Sequence, residues 1–270
     1  MSVLQRLTEA DLNFIAATVM PADDRAYAVA RLRDEEPLLD RVLDDDRLMR
    51  RLQDDAPVIA RISPWLLFNV LLRAARRELR GSSYTVERIG GERLAVFDAR
   101  RAGDLLADRP IQEYLVELLT SFTRISSFTV DVHEGGKLRR RRFSDFSSED
   151  MLSLAALVPD ELRFPFLRRT ADIALFITGV FPESVFPWTA PPGHPRRAQI
   201  PVPWSGRRTL EEYEEEGRRF YRLASEHVMA RRTGMAELLA TLADAFSLAR
   251  KPLSFMSHYF SWTQRSEPRQ

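Results

Sequence analysis

The spacing of hydrophobic positions changes along the chain, and it predicts where helices and strands lie. Over residues 1–80, apolar residues recur at three- to four-residue intervals, which is the period of an amphipathic helix. Ser63 and Pro64 are typical of a helix start, because serine caps the first turn and proline fits within it. The sequence therefore predicts a helical N-terminal region that ends with a helix from Trp65 to about Leu79.

The pattern becomes alternating in two later segments, each centred on a pair of glycines. Residues 82–97 read SSYTVERIGGERLAVF, and residues 126–143 read SSFTVDVHEGGKLRRRRF. β-branched and aromatic residues around a two-glycine turn favour a β-hairpin. The two segments match at an offset of 44 residues, and a helix precedes each of them. Either a helix–hairpin unit has been duplicated and its hairpins pair into one small sheet, or two ordinary hairpins share strand-favouring residues.

The remainder of the chain is predicted to be helical, with one long interruption. Helices are expected over residues 161–178 and, after the capping box of Thr209 and Glu212, over 209–231. Residues 182–206 contain seven prolines and indicate an irregular connection.

These patterns together predict the fold class. We expect a mainly α protein of the α+β type, with a bundle-like helical core and two short β-hairpins. Residues 1–270 are expected to form a single compact domain, in which residues 1–60 are a possible N-terminal helical subregion.

Composition narrows the class of protein. The chain has no cysteine, which excludes disulfides, thiolate metal sites and cysteine nucleophiles. Neither a signal peptide nor an apolar run of about 20 residues is visible, so we expect a cytoplasmic protein without a membrane contact. The formal net charge is only +1, whereas nucleic-acid-binding proteins are usually more basic. Only Lys137 and Lys251 are lysine among 40 basic residues, a skew that is typical of GC-rich codon usage.

The arginine run at residues 139–142 is the most distinctive charged motif. In a hairpin with a two-residue turn, Asp131 faces Arg140 and Val130 faces Arg141, and side chains alternate between the two faces. Arg139 and Arg141 therefore share a face with the valines, and Arg140 and Arg142 share the other. Three interpretations are open: a charged ribbon that prevents strand aggregation, an anion or nucleic-acid contact through Arg140 and Arg142, or an arginine-lined partner interface.

Asp172 is the candidate for a functional buried acid, because its neighbours in LRRTADIALFITGVFPE are mostly apolar. A buried carboxylate needs a partner, and Arg168 or Arg169 lies one helical turn earlier. The alternatives are a structural ion pair that fixes the helix register and an acid with a raised pKa in a cleft.

Histidines and glutamates supply the other candidate ligands. His227 and His258 lie on the last predicted helices and could meet around one metal with Asp244 or Glu226. The glutamate run from Glu211 to Glu216 lacks the Glu-x-x-His spacing of helical carboxylate sites, which favours a solvated helix face and no metal site. Phosphate-binding glycine loops and G-x-S-x-G motifs are absent from the sequence, so no cofactor can be named.

Three stretches carry a resemblance to known sequences: SSYTVERIGGERLAVFDA, ADIALFITGVFPE and RRTLEEYEEEGRRFYRLA. Over about residues 60–260 the chain resembles an uncharacterised family of mostly helical bacterial proteins. The resemblance implies a free-standing intracellular protein and no particular activity.

We therefore expect a non-enzymatic interaction or regulatory protein, homodimeric and cytoplasmic, that contacts a partner or polyanion through Arg139, Arg140, Arg141 and Arg142. Its partner is expected to be a protein or a second copy of the chain, with nucleic acid as a weaker expectation. The alternative is an enzyme or a ligand- or metal-binding protein with a pocket at Asp172, His227 and His258.

Overall fold

The structure, a computed structural model, describes residues 3–20, 25–89, 92–134, 137–181 and 208–263. Within these ranges the chain forms fourteen α-helices and two antiparallel two-stranded sheets. The predicted fold class, mainly α with two short hairpins, is confirmed. The predicted irregular connection at 182–206 and both glycine-pair turns lie outside the described residues.

The first helices and hairpin follow the order that the spacing predicts. They are α1 (Glu9–Val19), α2 (Arg25–Asp34), α3 (Glu36–Leu43), α4 (Asp46–Asp54), α5 (Ala56–Ile59), α6 (Pro64–Gly81), β1 (Thr85–Ile89), β2 (Glu92–Val96) and α7 (Ala99–Leu105). The remaining elements, in chain order, are α8 (Arg109–Ser121), β3 (Ser127–Glu134), β4 (Lys137–Ser144), α9 (Ser148–Leu157), α10 (Phe164–Val180), α11 (Leu210–Glu226), α12 (Val228–Arg232), α13 (Ala236–Asp244) and α14 (Phe246–Thr263).

The helix–hairpin order occurs twice, as α6 with β1–β2 and as α8 with β3–β4. The expectation that both hairpins pair into one sheet is wrong for the described strands, because each hairpin forms its own two-stranded sheet. The strands also differ in length, with five residues in β1 and eight in β3. A common origin of the two units stays a prediction.

The chain divides into two compact units. The first consists of Met1–Thr85, Ala95–Thr123 and His258–Gln270, and the second of Val86–Leu94 and Arg124–Ser257. Residues 1–60 thus belong to the same unit as α6. The single domain and the N-terminal subregion stay predictions.

Asp11 organises the start of the first unit. Its Oδ2 accepts from the backbone N–H of Thr8 at 2.8 Å, which completes a capping box at the start of α1. Its Oδ1 accepts from the backbone N–H of Ser63 at 2.7 Å, immediately before α6. One fully buried carboxylate therefore ties the start of α1 to the backbone of Ser63, 52 residues further along the chain, where α6 starts.

An ion-pair network holds α3 against α6 in the same unit. Arg73 is only 5% exposed, and its guanidinium contacts Asp40 at 2.5 Å and Asp44 at 2.8 Å. Its Nε also donates to Asn69 at 2.7 Å. Asp44 additionally pairs with Arg76 at 2.6 Å. The buried cation is thus satisfied by several acceptors, which the fold needs because an unpaired buried charge is costly.

Close helix packing defines the core of the second unit. Gly217 in α11 faces Ala174 in α10 and the fully buried ring of Phe246 in α14. Gly179 in α10 similarly faces Leu253 in α14. A side chain at either glycine would overlap its neighbours, so these glycines allow the helices to approach closely. Lys251, in the same part of α14 as Leu253, is also buried.

The predicted helix over 209–231 is interrupted. It starts with the predicted capping box of Thr209 and Glu212, but α11 ends at Glu226 and α12 begins at Val228. His227 between them is extended, with φ −67° and ψ 144°, and its Nδ1 accepts from the backbone N–H of Met229. The prediction of one continuous helix is therefore wrong, because His227 acts as an N-cap.

Among the described helices, none combines the length and the apolar character that crossing a bilayer requires.

Candidate functional site

The arginine run lies on a two-stranded ribbon, formed by β3 and β4 and called here the basic ribbon. Val130 pairs with Arg141, Asp131 with Arg140, and Glu134 with Lys137. The register that the sequence predicts is confirmed. Side chains of directly opposed residues share a face, so the four arginines divide two and two between the faces, as expected.

One face of the basic ribbon is anchored by aromatic residues. Phe143 is fully buried and stacks with Phe128, with ring centroids 6.2 Å apart. The Arg141 guanidinium lies 5.1 Å from the centroid of the Phe143 ring, within the range of a cation–π contact. Val132, opposite Arg139, is buried. This face therefore fixes the ribbon, although Arg139 and Arg141 on the same face are exposed.

The opposite face of the basic ribbon presents Arg140 and Arg142 to solvent. Arg140 Nε is 3.5 Å from Asp131 Oδ1, and the two side chains are 79% and 50% exposed. An ion pair this exposed contributes little, because water and salt screen it. Arg142 donates to Ser127 Oγ from Nη2 at 2.6 Å and from Nε at 3.1 Å. Both guanidinium groups remain accessible to an anion.

A groove opens at the base of the basic ribbon. Its volume is about 450 Å³, and Arg142 and Ser127 contribute its polar groups together with Asp150 at the start of α9. The remaining lining residues are Ile125, Phe143 and Ser144. Asp150 is held in place because its Oδ2 accepts from the backbone N–H of Ser144 at 2.9 Å. The groove is thus lined by an arginine and a carboxylate together with the apolar side chains of Ile125 and Phe143.

Asp172, the first residue of the predicted pocket, has a buried partner that the sequence did not reveal. The Tyr221 hydroxyl donates to Asp172 Oδ1 at 2.8 Å, and Tyr221 is fully buried. Arg168 Nε lies 4.0 Å from Asp172 Oδ2, as one of the two sequence alternatives predicted. Arg169 turns instead to Asp145, where its Nε donates to the backbone carbonyl at 2.8 Å.

The second predicted pocket residue, His227, uses both ring nitrogens within the fold. Nδ1 accepts from the N–H of Met229 at 3.1 Å, so Nε2 carries the proton and donates to the Asp160 carbonyl at 2.7 Å. Its ring lies 5.8 Å from that of Phe164, and Asp172 is eight residues further along α10, about 12 Å away along the helix axis. The hydrogen bonds of His227 go to Asp160 and Met229, whereas that of Asp172 comes from Tyr221, so different residues hold the two side chains.

The third, His258, lies in α14, but its side chain is outside the described residues. Within the described part of the chain, no three histidine, aspartate or glutamate side chains are grouped as metal ligands would be.

A charged cluster at the start of α11 was not predicted. Arg208 contacts Glu216 at 2.6 Å and Glu149 at 3.2 Å, and its guanidinium lies 5.7 Å from the ring centroid of Tyr213. The Glu216 side chain is only 14% exposed, so the prediction of a solvated glutamate face is wrong at this position. Glu211, Glu212 and Glu215 are exposed as expected. The spacing of Glu216 three residues after Tyr213, on the apolar side of α11, was the available signal.

Burial has the largest effect on the pKa of each of Glu216, Tyr213 and Arg208 in this cluster. Burial raises the pKa of Glu216 above 4.5, although Arg208 acts in the opposite direction. Burial also raises the pKa of Tyr213. Burial would lower the pKa of Arg208, but the charge of Glu216 and its hydrogen bond raise it. Arg208 is 32% exposed and divides its charge between Glu216 and Glu149, so its attraction does not offset the effect of burial on the Glu216 carboxylate.

Comparison of the wild type with Glu216→Gln should reveal the cost of burying this carboxylate as a pH dependence of the free energy of unfolding. A carboxyl whose pKa is raised by folding contributes most stability below its unfolded pKa and loses that contribution as the pH rises through the folded value. The stability of the wild type relative to Glu216→Gln should therefore fall as the pH rises from about 4 to about 7. Urea unfolding at several pH values measures it, with the exposed Glu215→Gln as control. A flat or rising difference would contradict the burial argument.

The comparison with known proteins found no match for this chain. No protein-family model, no curated protein and no solved structure matches the chain. The resemblance to an uncharacterised family of helical bacterial proteins therefore stays a prediction.

Proposed function

We propose that this chain is a non-enzymatic interaction or regulatory protein that binds an anionic partner through the exposed arginines of the basic ribbon. We place it in the cytoplasm and expect it to work as a homodimer, which the mass of the native protein would test against multiples of 31.1 kDa. The observation that carries the proposal is the exposure of six consecutive residues, Lys137 to Arg142, of which five are cationic.

The distribution of charge supports the ribbon as the binding surface. Residues 127–144 contain five basic and two acidic residues, a net charge of +3, whereas the whole chain has +1. The positive charge is therefore local, and the rest of the chain is slightly acidic. A local positive field on an exposed ribbon attracts anions while leaving the protein nearly neutral overall.

The structure of the ribbon also supports this use. Phe143 is buried and stacked on Phe128, so the strands are held by packing that does not involve Arg140 or Arg142. The exposed ion pair of Arg140 with Asp131 is weak and can be exchanged for a ligand at little cost. The alternative, a ligand or metal pocket at Asp172, His227 and His258, has less support because the first two residues are engaged by internal hydrogen bonds to different partners, Tyr221 and Asp160.

The double substitution Arg140→Ala and Arg142→Ala should weaken binding of a polyanion at least tenfold, because it removes two exposed charge contacts, each worth on the order of 1 kcal/mol. Fluorescence anisotropy with labelled poly-glutamate and with a single-stranded oligonucleotide, at low and raised salt, measures the effect. The matched control is Arg100→Ala with Arg101→Ala, an exposed pair in α7 that removes the same charge.

Affinity should also fall with increasing salt in the wild type, and the double variant should have a smaller salt dependence. Equal losses in the ribbon variant and the α7 control would show that only net charge matters. Unchanged affinity in the ribbon variant would remove the basic ribbon as the binding surface.

A further inference from the structure

In the basic ribbon, the residue pairs that are hydrogen bonded to each other determine which backbone N–H and C=O groups point outward at its edges. Asp145 N donates to Ser126 O at 3.0 Å, so this pair is hydrogen bonded across the two strands. In an antiparallel ladder, hydrogen-bonded pairs alternate with pairs whose backbone groups point outward. The register then assigns the outward positions of β4 to Leu138, Arg140, Arg142 and Ser144.

A contact inside the protein agrees with this assignment. The backbone N–H of Ser144 donates to Asp150 Oδ2 at 2.9 Å, outside the ribbon. A carboxylate therefore already occupies the outward donor at one end of the β4 edge. Asp150 also ends the accessible part of that edge, which leaves the outward groups of Leu138, Arg140 and Arg142.

This edge is open within the described part of the chain. The sheet that contains β4 has two strands, so no described strand pairs with its outer side. Leu138 is 61% exposed, and Arg140 and Arg142 are also exposed. Two of the three outward backbone positions thus carry a guanidinium group on the same face, separated by about 6.8 Å along the strand.

We propose that the β4 edge binds an extended acidic peptide segment of a partner protein as a third strand. The inference rests on the proposed function and names the chemistry of its partner. Each residue that faces the edge would exchange backbone hydrogen bonds with Leu138, Arg140 or Arg142, and acidic side chains at every second position would lie beside the two guanidinium groups.

The alternation of donors and acceptors favours a peptide over a nucleic acid. The outward positions of β4 present both N–H and C=O groups, and a peptide backbone supplies the complement of both. A phosphodiester backbone supplies acceptors only, so it would leave the carbonyl groups of the edge without donors. The low net charge of the chain, +1, points in the same direction.

The arginines also explain how an open edge avoids the wrong strands. A second copy of β4 would bring its own arginines against Arg140 and Arg142, and repulsion between like charges opposes that pairing. An acidic strand converts the same charges into attraction. Selectivity thus arises from a repulsive and an attractive effect of the same two residues.

Proline substitution tests the strand pairing without a change in charge. Leu138→Pro removes one outward donor and should weaken binding of an acetylated eight-residue Thr–Glu alternating peptide about five- to tenfold. Leu138→Ala retains the donor and should bind like the wild type. Thr129→Pro removes an outward donor from the opposite edge, on β3, and should also bind like the wild type. Circular dichroism and thermal unfolding establish that both proline variants are folded.

Methylation of the peptide backbone provides a second test that leaves the protein unaltered. In a bound strand, every second residue points its backbone N–H toward β4, and the residues between them point theirs away. N-methylation of the residues that point toward β4 should therefore abolish binding, whereas N-methylation of the residues that point away should not. A peptide held by charge alone would respond equally to both sets. The peptide's affinity is measured by fluorescence anisotropy, with a single-stranded oligonucleotide as the comparison probe.

The outcomes separate this inference from the proposed function. Loss of peptide binding with Leu138→Pro and with one methylated set supports strand addition. Binding that depends on Arg140 and Arg142 but on neither of these changes overturns strand addition and leaves the proposed function standing. If the oligonucleotide binds through the two arginines and the peptide does not bind, strand addition is likewise overturned and the proposed function stands. If neither the peptide nor the oligonucleotide binds through Arg140 and Arg142, both the strand-addition inference and the proposed function are overturned.

Discussion

Replacement of Asp44 by alanine is expected to lower the free energy of unfolding by about 3 kcal/mol, the size associated with removal of one partner from a buried ion pair. Asp44 contacts Arg73 at 2.8 Å and Arg76 at 2.6 Å, and its backbone carbonyl accepts from Arg77 at 2.9 Å. Arg73 is only 5% exposed, and without Asp44 its buried guanidinium would keep Asp40 and Asn69 but lose its second carboxylate. Urea unfolding followed by circular dichroism measures the change.

Asp46→Ala is the matched control for that experiment. Asp46 lies two residues away and pairs with Arg77 at 2.7 Å, but its side chain is 67% exposed. Its removal should cost less than about 1 kcal/mol, because exposed ion pairs contribute little. Equal losses for Asp44→Ala and Asp46→Ala would show that burial of Arg73 does not determine the energy of this network.

Replacement of Gly217 by alanine should destabilise the second unit by about 2 kcal/mol. The added Cβ would overlap the Phe246 ring and lie 3.1 Å from the Cβ of Ala174. Phe246 is fully buried and has little room to move. Alanine is favoured over glycine in a helix by about 1 kcal/mol, and this gain should not offset the overlap in full. The midpoint of thermal unfolding measures the result.

Gly81→Ala provides the comparison, because Gly81 ends α6 and a Cβ there meets no atom within 4 Å. That variant should be neutral or more stable by up to about 1 kcal/mol. A stabilising effect at both positions would show that α10, α11 and α14 tolerate a wider separation than their contacts indicate.

Local signals account for the features that the sequence predicted correctly. The caps at Ser63 and Thr209 act over three residues, and both helices start where those caps predict. The register of the basic ribbon follows from a two-residue turn and strict alternation, so Asp131 could be paired with Arg140 from the sequence alone.

Features that depend on distant residues could not be predicted in this way. Tyr221 and Asp172 are 49 residues apart, and no spacing rule connects them. His227, at the break between α11 and α12, also donates to the carbonyl of Asp160, which lies 67 residues earlier. The spacing of Glu216 from Tyr213 indicates burial of the carboxylate, but it does not reveal the pairing with Arg208, which also contacts Glu149. In each case tertiary contacts override the local pattern.

The rarity of lysine has a practical consequence for chemical labelling. The chain has two lysines, and Lys251 is only 6% exposed, whereas Lys137 is exposed at the first position of β4. Amine-reactive dyes do not modify arginine, so on the folded protein they should attach at Lys137 and at the terminal amine. A fluorophore at Lys137 would sit next to Leu138, at one end of the open edge, and would report directly on a strand that docks there.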